Sequence, residues 1–170
     1  QRNEWTDSES SLFTEMDIDS LDAKNFYFMK PGEGYIGVTE LLEAGAIKFE
    51  AYEIKSNSCG HISTILHEKK EKYLKKYIVI RTSRAELDKE MMQTLASTLK
   101  FRYKAVFGGE STTLEFMETE PEVTTIVHIC GRFRMGQVVP KRYIGMVYEQ
   151  SKNPNADTIL QGLVGRVCGY

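Results

Sequence analysis

The clearest pattern of apolar and polar positions starts at Tyr77. Tyr77-Ile78-Val79-Ile80 is an unbroken apolar run closed by Arg81-Thr82-Ser83, which predicts a strand buried on both faces. A helix is predicted directly after it. Ser83 and Glu86 have the spacing of a capping box, and Leu87, Met91, Met92, Leu95, Ala96 and Leu99 recur at helical intervals through Lys100. Tyr103–Phe107 is the next predicted strand, stopped by Gly108-Gly109, and Glu115–Glu118 reads as a continuation of that region. Val123–Cys130 is a longer β-branched run, Ile144–Tyr148 a further strand, and Asp157–Tyr170 a helix with Ile159, Leu160, Leu163, Val164 and Val167 inward. Strands without polar alternation, interleaved with helices, predict an α/β fold: an open, mostly parallel sheet with flanking helices. In such sheets the working crevice lies at the carboxyl ends of the strands. The groups placed there are Arg81, Thr82 and Ser83, then Gly108 and Gly109, then Gly131 to Gly136, then Glu149 to Ser151.

Upstream the pattern is weaker. Ile62–Lys76 carries Ile65, Leu66, Tyr73 and Leu74 among five lysines, as a helix with a wide solvated face would. Ala51–Ile54 reads as a brief strand, and Val38–Ile47 as a short helix closed by Gly45 after the turn Pro31–Gly34. Residues 1–30 are rich in Asp, Glu and Ser with scattered aromatics, which suits an irregular segment with a strand only at Asn25–Met29.

A chain of 170 residues that is 41% hydrophobic and 27% charged, with 13 Gly and 4 Pro, has room for one ordinary domain and an appendage. That composition excludes collagen-like, disordered and mucin-like classes. There is no run of eighteen apolar residues and no basic-then-apolar start, so an intracellular protein is expected. Cys59, Cys130 and Cys168 are odd in number and widely spaced, unlike a disulfide framework or a zinc knuckle. The chain starts without Met and stops at Tyr170 inside a predicted helix, as a fragment of a longer protein would.

Charge is graded along the chain. Residues 1–58 hold 12 acidic and 5 basic side chains (−7), residues 59–122 hold 10 and 11 (+1), and residues 123–170 hold 2 and 6 (+4). A polyanion would therefore be met by the carboxyl-terminal third.

Several chemistries lack their motifs. No Gly-x4-Gly-Lys-Ser/Thr string supplies the amides and lysine that hold β- and γ-phosphates; Phe107-Gly108-Gly109-Glu110-Ser111-Thr112 comes nearest and lacks the lysine. Gly-x-Ser-x-Gly, the elbow that presents a nucleophilic serine, does not occur. Cys59-Gly60-His61 offers two metal ligands with no second pair. His128, within a strand, reads as a core or crevice histidine ahead of a catalytic base.

The segment from Ile126 to Tyr170 orders a strand, the loop Gly131–Gly136 with Gln137, a strand, a polar loop and a helix bearing Gln161, Gly165 and Arg166. This resembles the second RecA-like lobe of superfamily 2 helicases and translocases. Gly131 through Gly136 with Gln137 match the position of motif V. Gln161, Gly165 and Arg166 match motif VI, Gln-x-x-Gly-Arg-x-x-Arg, and Tyr77–Ser83 resembles motif IV. The likeness implies a lobe over residues 67–170, preceded over residues 1–66 by an acidic leader and inter-lobe linker.

It further implies a site shared with a first lobe of the same polypeptide, which would hold most of the ATP and Mg2+. Gly136, Gln137, Gln161, Gly165 and Arg166 would face the nucleotide, with Arg166 and Gln161 catalytic. Arg81, Thr82, Ser83, Gly108, Gly109, Arg132 and Arg134 would meet DNA or RNA. Arg132, Arg134, Lys141 and Arg142 beside a glycine-rich backbone are what a sequence-independent phosphate track needs.

Two departures from the pattern stand out. The Gly-Arg pair falls four and five residues after Gln161, one more than the motif, and the second arginine's position is Gly169. An arginine finger supplies a planar permanent cation at the transferring phosphoryl group, worth about 10³-fold or more in rate. Either Arg166 serves alone or the finger lies beyond Tyr170. The readings kept open are a non-catalytic nucleic-acid-binding or regulatory lobe, and an unrelated Rossmann-like enzyme using Cys130 or His128.

Overall fold

The computed structural model describes residues 32–47, 60–82, 85–108, 113–130, 139–149 and 163–169. In chain order it contains α1 (Val38–Glu43), α2 (Gly60–Glu68), a 3₁₀ turn (Lys70–Tyr73), β1 (Tyr77–Thr82), α3 (Ala85–Leu99), β2 (Arg102–Phe107), a second 3₁₀ turn (Glu115–Glu118), β3 (Thr125–Cys130), β4 (Ile144–Glu149) and α4 (Leu163–Val167). The four strands form one sheet in the order β2-β3-β1-β4, with every pairing parallel. This is the expected α/β class, a parallel sheet with flanking helices, and it is consistent with a RecA-like lobe.

Burial explains the unbroken apolar strands. All six residues of β3 are buried, as are the first four of β1, because each of these central strands is covered on both faces. On one face Ile78, Ile80, Ile126 and Tyr148 meet Ile62 and Leu66 of α2 and Met92, Leu95, Ala96 and Leu99 of α3. On the other, Tyr77, Val79, Val106, Val127 and Ile129 meet Met117 of the second 3₁₀ turn and Val139.

The chain leaves β1 over the first face through α3, and returns from β2 to β3 through Glu115–Glu118 on the second. Val139, just before β4, also packs on the second face. The two directions part at the seam between β1 and β3, where a doubly wound sheet opens its crevice.

Several boundaries differ from expectation, each for a local reason. The helix expected over Ile62–Lys76 ends at Glu68. Lys75 takes a left-handed φ of 52°, turning the chain into β1, so Tyr73 points into the core while Leu74 stays 62% exposed. Val123 lies outside β3 and is exposed, since Thr124 turns back to donate its hydroxyl to the Tyr73 carbonyl at 2.8 Å. Glu115–Glu118 forms a 3₁₀ turn instead of prolonging β2.

The terminal helix runs over Leu163–Val167. It stops where Gly169, at φ 128°, pairs antiparallel with Ile36 through two backbone hydrogen bonds of 2.9 and 3.0 Å. Gly45, at φ 62°, follows α1 as expected of a helix-closing glycine, though the helix ends earlier, at Glu43. The predicted strands Asn25–Met29 and Ala51–Ile54, the Ser83–Glu86 capping box and residues 157–162 of the last predicted helix lie outside what is described. No described helix is long and apolar enough to cross a membrane.

Candidate functional site

Strand alternation places Thr82 of β1, His128 of β3 and Tyr103 and Phe107 of β2 on the face covered by α3. His128 is fully buried between them. Its Nε2 lies 2.8 Å from the Thr82 hydroxyl and its Nδ1 3.0 Å from the Tyr103 hydroxyl, so both ring nitrogens are engaged. Phe107 stands edge-on to the ring at 5.1 Å between centroids. Burial pushes the His128 pKa down to about 4, with the buried carboxylate Asp88 of α3 acting against that shift. At neutral pH the ring is uncharged, which suits the expected core or crevice histidine and leaves it a poor proton acceptor.

The opposite face of the same edge carries a charge pair. Arg81 Nη1 donates to Glu149 Oε1 at 2.7 Å, joining the penultimate residue of β1 to the last residue of the adjacent strand β4. Gly108 follows β2 and donates its N–H to the Cys130 carbonyl at 2.9 Å, so its backbone continues the β2–β3 ladder. Cys130 is buried beside Thr82 in the β1–β3 register. Read across the sheet, the carboxyl edge therefore presents Gly108, Cys130, Thr82, then Arg81 with Glu149.

Of the residues singled out in the sequence, Arg81, Thr82 and Gly108 are brought to this one edge. Gly165 and Arg166 are half-buried on α4, which packs beside β4. Ser83, Gly109, Arg132, Arg134, Gly136, Gln137 and Gln161 lie outside the described residues. Tyr103 and Asp88 were not foreseen. A signal for each existed: Asp88 sits four residues before Met92 and so shares the inward face of α3, and Tyr103 shares the parity of Phe107. Among the described residues no group of three or more His, Cys, Asp or Glu is placed to hold a metal ion.

No protein-family model matches the chain, and no solved structure matches it significantly. Among curated proteins it is similar to the uncharacterized protein L594 of Acanthamoeba polyphaga mimivirus. The two are 24% identical over 159 residues, covering 84% of this chain and 38% of that protein. The chain thus spans well under half the length of this relative.

Proposed function

We propose that this chain is the carboxyl-terminal lobe of an ATP-dependent DNA or RNA helicase or translocase. The observation that carries the reading is a coincidence of order and place. The segments resembling motifs IV, V and VI occur in that order in the sequence, and Arg81, Thr82 and Gly108 gather at the carboxyl edge of an all-parallel sheet. That edge offers a hydroxyl, a guanidinium and a backbone approach, the groups that grip a sugar-phosphate track without reading bases.

Arg166 suits the nucleotide side by its chemistry, being a permanent planar cation half-buried on α4 next to a small glycine. It would act with Gln161, Gly165, Gly136 and Gln137 toward ATP and Mg2+ held mainly by a first lobe of the same polypeptide. Bound there, the nucleotide supplies the phosphoryl group whose developing charge such an arginine stabilises.

Gly169, at the place of the second motif VI arginine, favours a second reading, a lobe kept for nucleic-acid binding or regulation without catalysis. The 170-residue chain is expected to bind a single-stranded oligonucleotide weakly, with affinity falling as salt rises, and to hydrolyse no ATP alone. Robust ATPase activity of the isolated chain, or no oligonucleotide binding at low salt, rejects the leading reading. Sequence upstream containing a Gly-Lys-Thr/Ser loop and an acidic Asp-Glu pair decides for the enzyme over the regulatory lobe.

A further inference from the structure

Thr82 ends β1 half-buried at the β1–β3 seam, and among the described residues its hydroxyl has one polar partner, Nε2 of His128 at 2.8 Å. The histidine is held from the other side by the Tyr103 hydroxyl, 3.0 Å from Nδ1. A neutral imidazole offers one N–H and one lone pair, so the two contacts run in opposite senses. Two tautomers satisfy them. In one, Tyr103 donates to Nδ1 and Nε2–H donates to Thr82; in the other, Thr82 donates to Nε2 and Nδ1–H donates to Tyr103.

The chemistry of the two hydroxyls separates these. A phenol, with an ordinary pKa near 10, is a much stronger acid than an aliphatic alcohol and hence the better donor to the ring's lone pair. Nδ1 is then the acceptor, and Nε2–H points at the Thr82 oxygen. With an inward-facing lone pair of that oxygen occupied, the threonine's own hydrogen is directed away from the ring, toward the carboxyl edge.

We infer that Tyr103 and His128 form a positioning relay that presets the Thr82 hydroxyl as an outward hydrogen-bond donor to a phosphate oxygen at the β1–β3 crevice. The inference rests on the reading above for the class of ligand, since a nucleic-acid backbone and a nucleotide present the same non-bridging oxygen. Neither relay residue touches the ligand. Their role is to fix a donor before the ligand arrives, so that no local reorganisation is needed on binding. Full burial and the edge-on Phe107 ring hold the imidazole in place, and its neutrality at physiological pH keeps the relay's sense from inverting.

The test uses the 170-residue chain labelled with ¹⁵N. Long-range ¹H–¹⁵N correlation at neutral pH reads the His128 tautomer with no ligand present: a protonated Nε2 with bare Nδ1 is expected, and a protonated Nδ1 overturns the relay. Pyrophosphate, a single-stranded oligonucleotide and Mg-ATP are then titrated while the Thr82 methyl signal is followed. Thr82→Val is expected to weaken binding about fivefold to tenfold, Thr82→Ser to retain it, and Tyr103→Phe to weaken it about twofold to threefold.

In the Thr82→Val background Tyr103→Phe should cost nothing further; an equal loss there means Tyr103 acts through the fold, and overturns the relay. A response to the oligonucleotide but not Mg-ATP assigns the donor to the backbone, and the reverse assigns it to the nucleotide. A response to pyrophosphate alone sustains the donor while rejecting the nucleic-acid reading. No response to any of the three overturns the donor role.

Discussion

The Arg81 guanidinium and the Glu149 carboxylate meet at 2.7 Å across the ends of β1 and β4, each less than a third exposed. The cation expected to meet a phosphate track thus comes with an anion attached, and a polyanion approaching it also meets Glu149. Removing that anion frees the arginine. Glu149→Gln is expected to raise oligonucleotide affinity about twofold to threefold at low salt and to steepen the slope of log affinity against log salt by about one. Anisotropy titrations over a salt series read both quantities, and an unchanged slope would take Arg81 off the track.

Acid should weaken the fold through His128. Its folded pKa, about 4, lies below the ordinary value of 6.5, so between these values the unfolded chain binds more protons than the folded one. The contribution is intact above pH 6.5, falls as pH drops toward 4, and changes no further below that as far as this residue is concerned. The loss is on the order of 3 kcal/mol. Urea midpoints of the wild type and His128→Gln, measured from pH 7 to pH 4, should converge as the pH falls; parallel curves would show that another group carries the acid sensitivity.

Gly145 in β4 tolerates no side chain. A Cβ there would lie 2.9 Å from both the Lys76 Cβ and the Tyr73 Cδ1, and the lysine Cβ cannot swing aside without its backbone. Gly145→Ala should cost about 1–3 kcal/mol. Thermal melting would register this as a fall of several degrees, whereas Gly34→Ala meets no atom within 4 Å and tests only the strain of its φ of 84°.

Lys141 ties α4 to the strands. Its Nζ donates to the Cys168 carbonyl at 2.9 Å, just past the end of the helix. Lys141→Met should loosen only residues 163–169 and their bridge to Ile36, speeding exchange of the Gly169 and Ile36 amides about tenfold. Amides of β1 and β3 should keep their protection; if they exchange faster as well, the tie bears on the whole fold.

Much of the architecture was legible because double-sided burial writes itself directly into composition. β1 and β3 have no solvent face, hence no polar alternation, and the inward face of α3 keeps its period to Leu99. Ends of elements were harder. Lys75 and Lys100 both adopt left-handed φ where a glycine would have announced the turn, and neither lysine does.

The site was legible one strand at a time. Thr82, Arg81 and Gly108 follow from where the apolar runs stop, but His128 meets Thr82 and Tyr103 only because β3 lies between β1 and β2. Strand order is decided by packing of the whole sheet and leaves no local mark in the chain. The partnership of Arg81 with Glu149, 68 residues apart, was hidden for the same reason.

The bridge between Ile36 and Gly169 has a mechanical consequence. The first and last described segments are clasped by two hydrogen bonds, so tension drawn between them loads that clasp before it reaches the sheet. Two bonds side by side open like a zipper under modest force, and the four parallel strands behind them stay slack until the clasp has parted. A pull on both flanking segments would thus move the sheet as a rigid body or unlatch it, without shearing its strands.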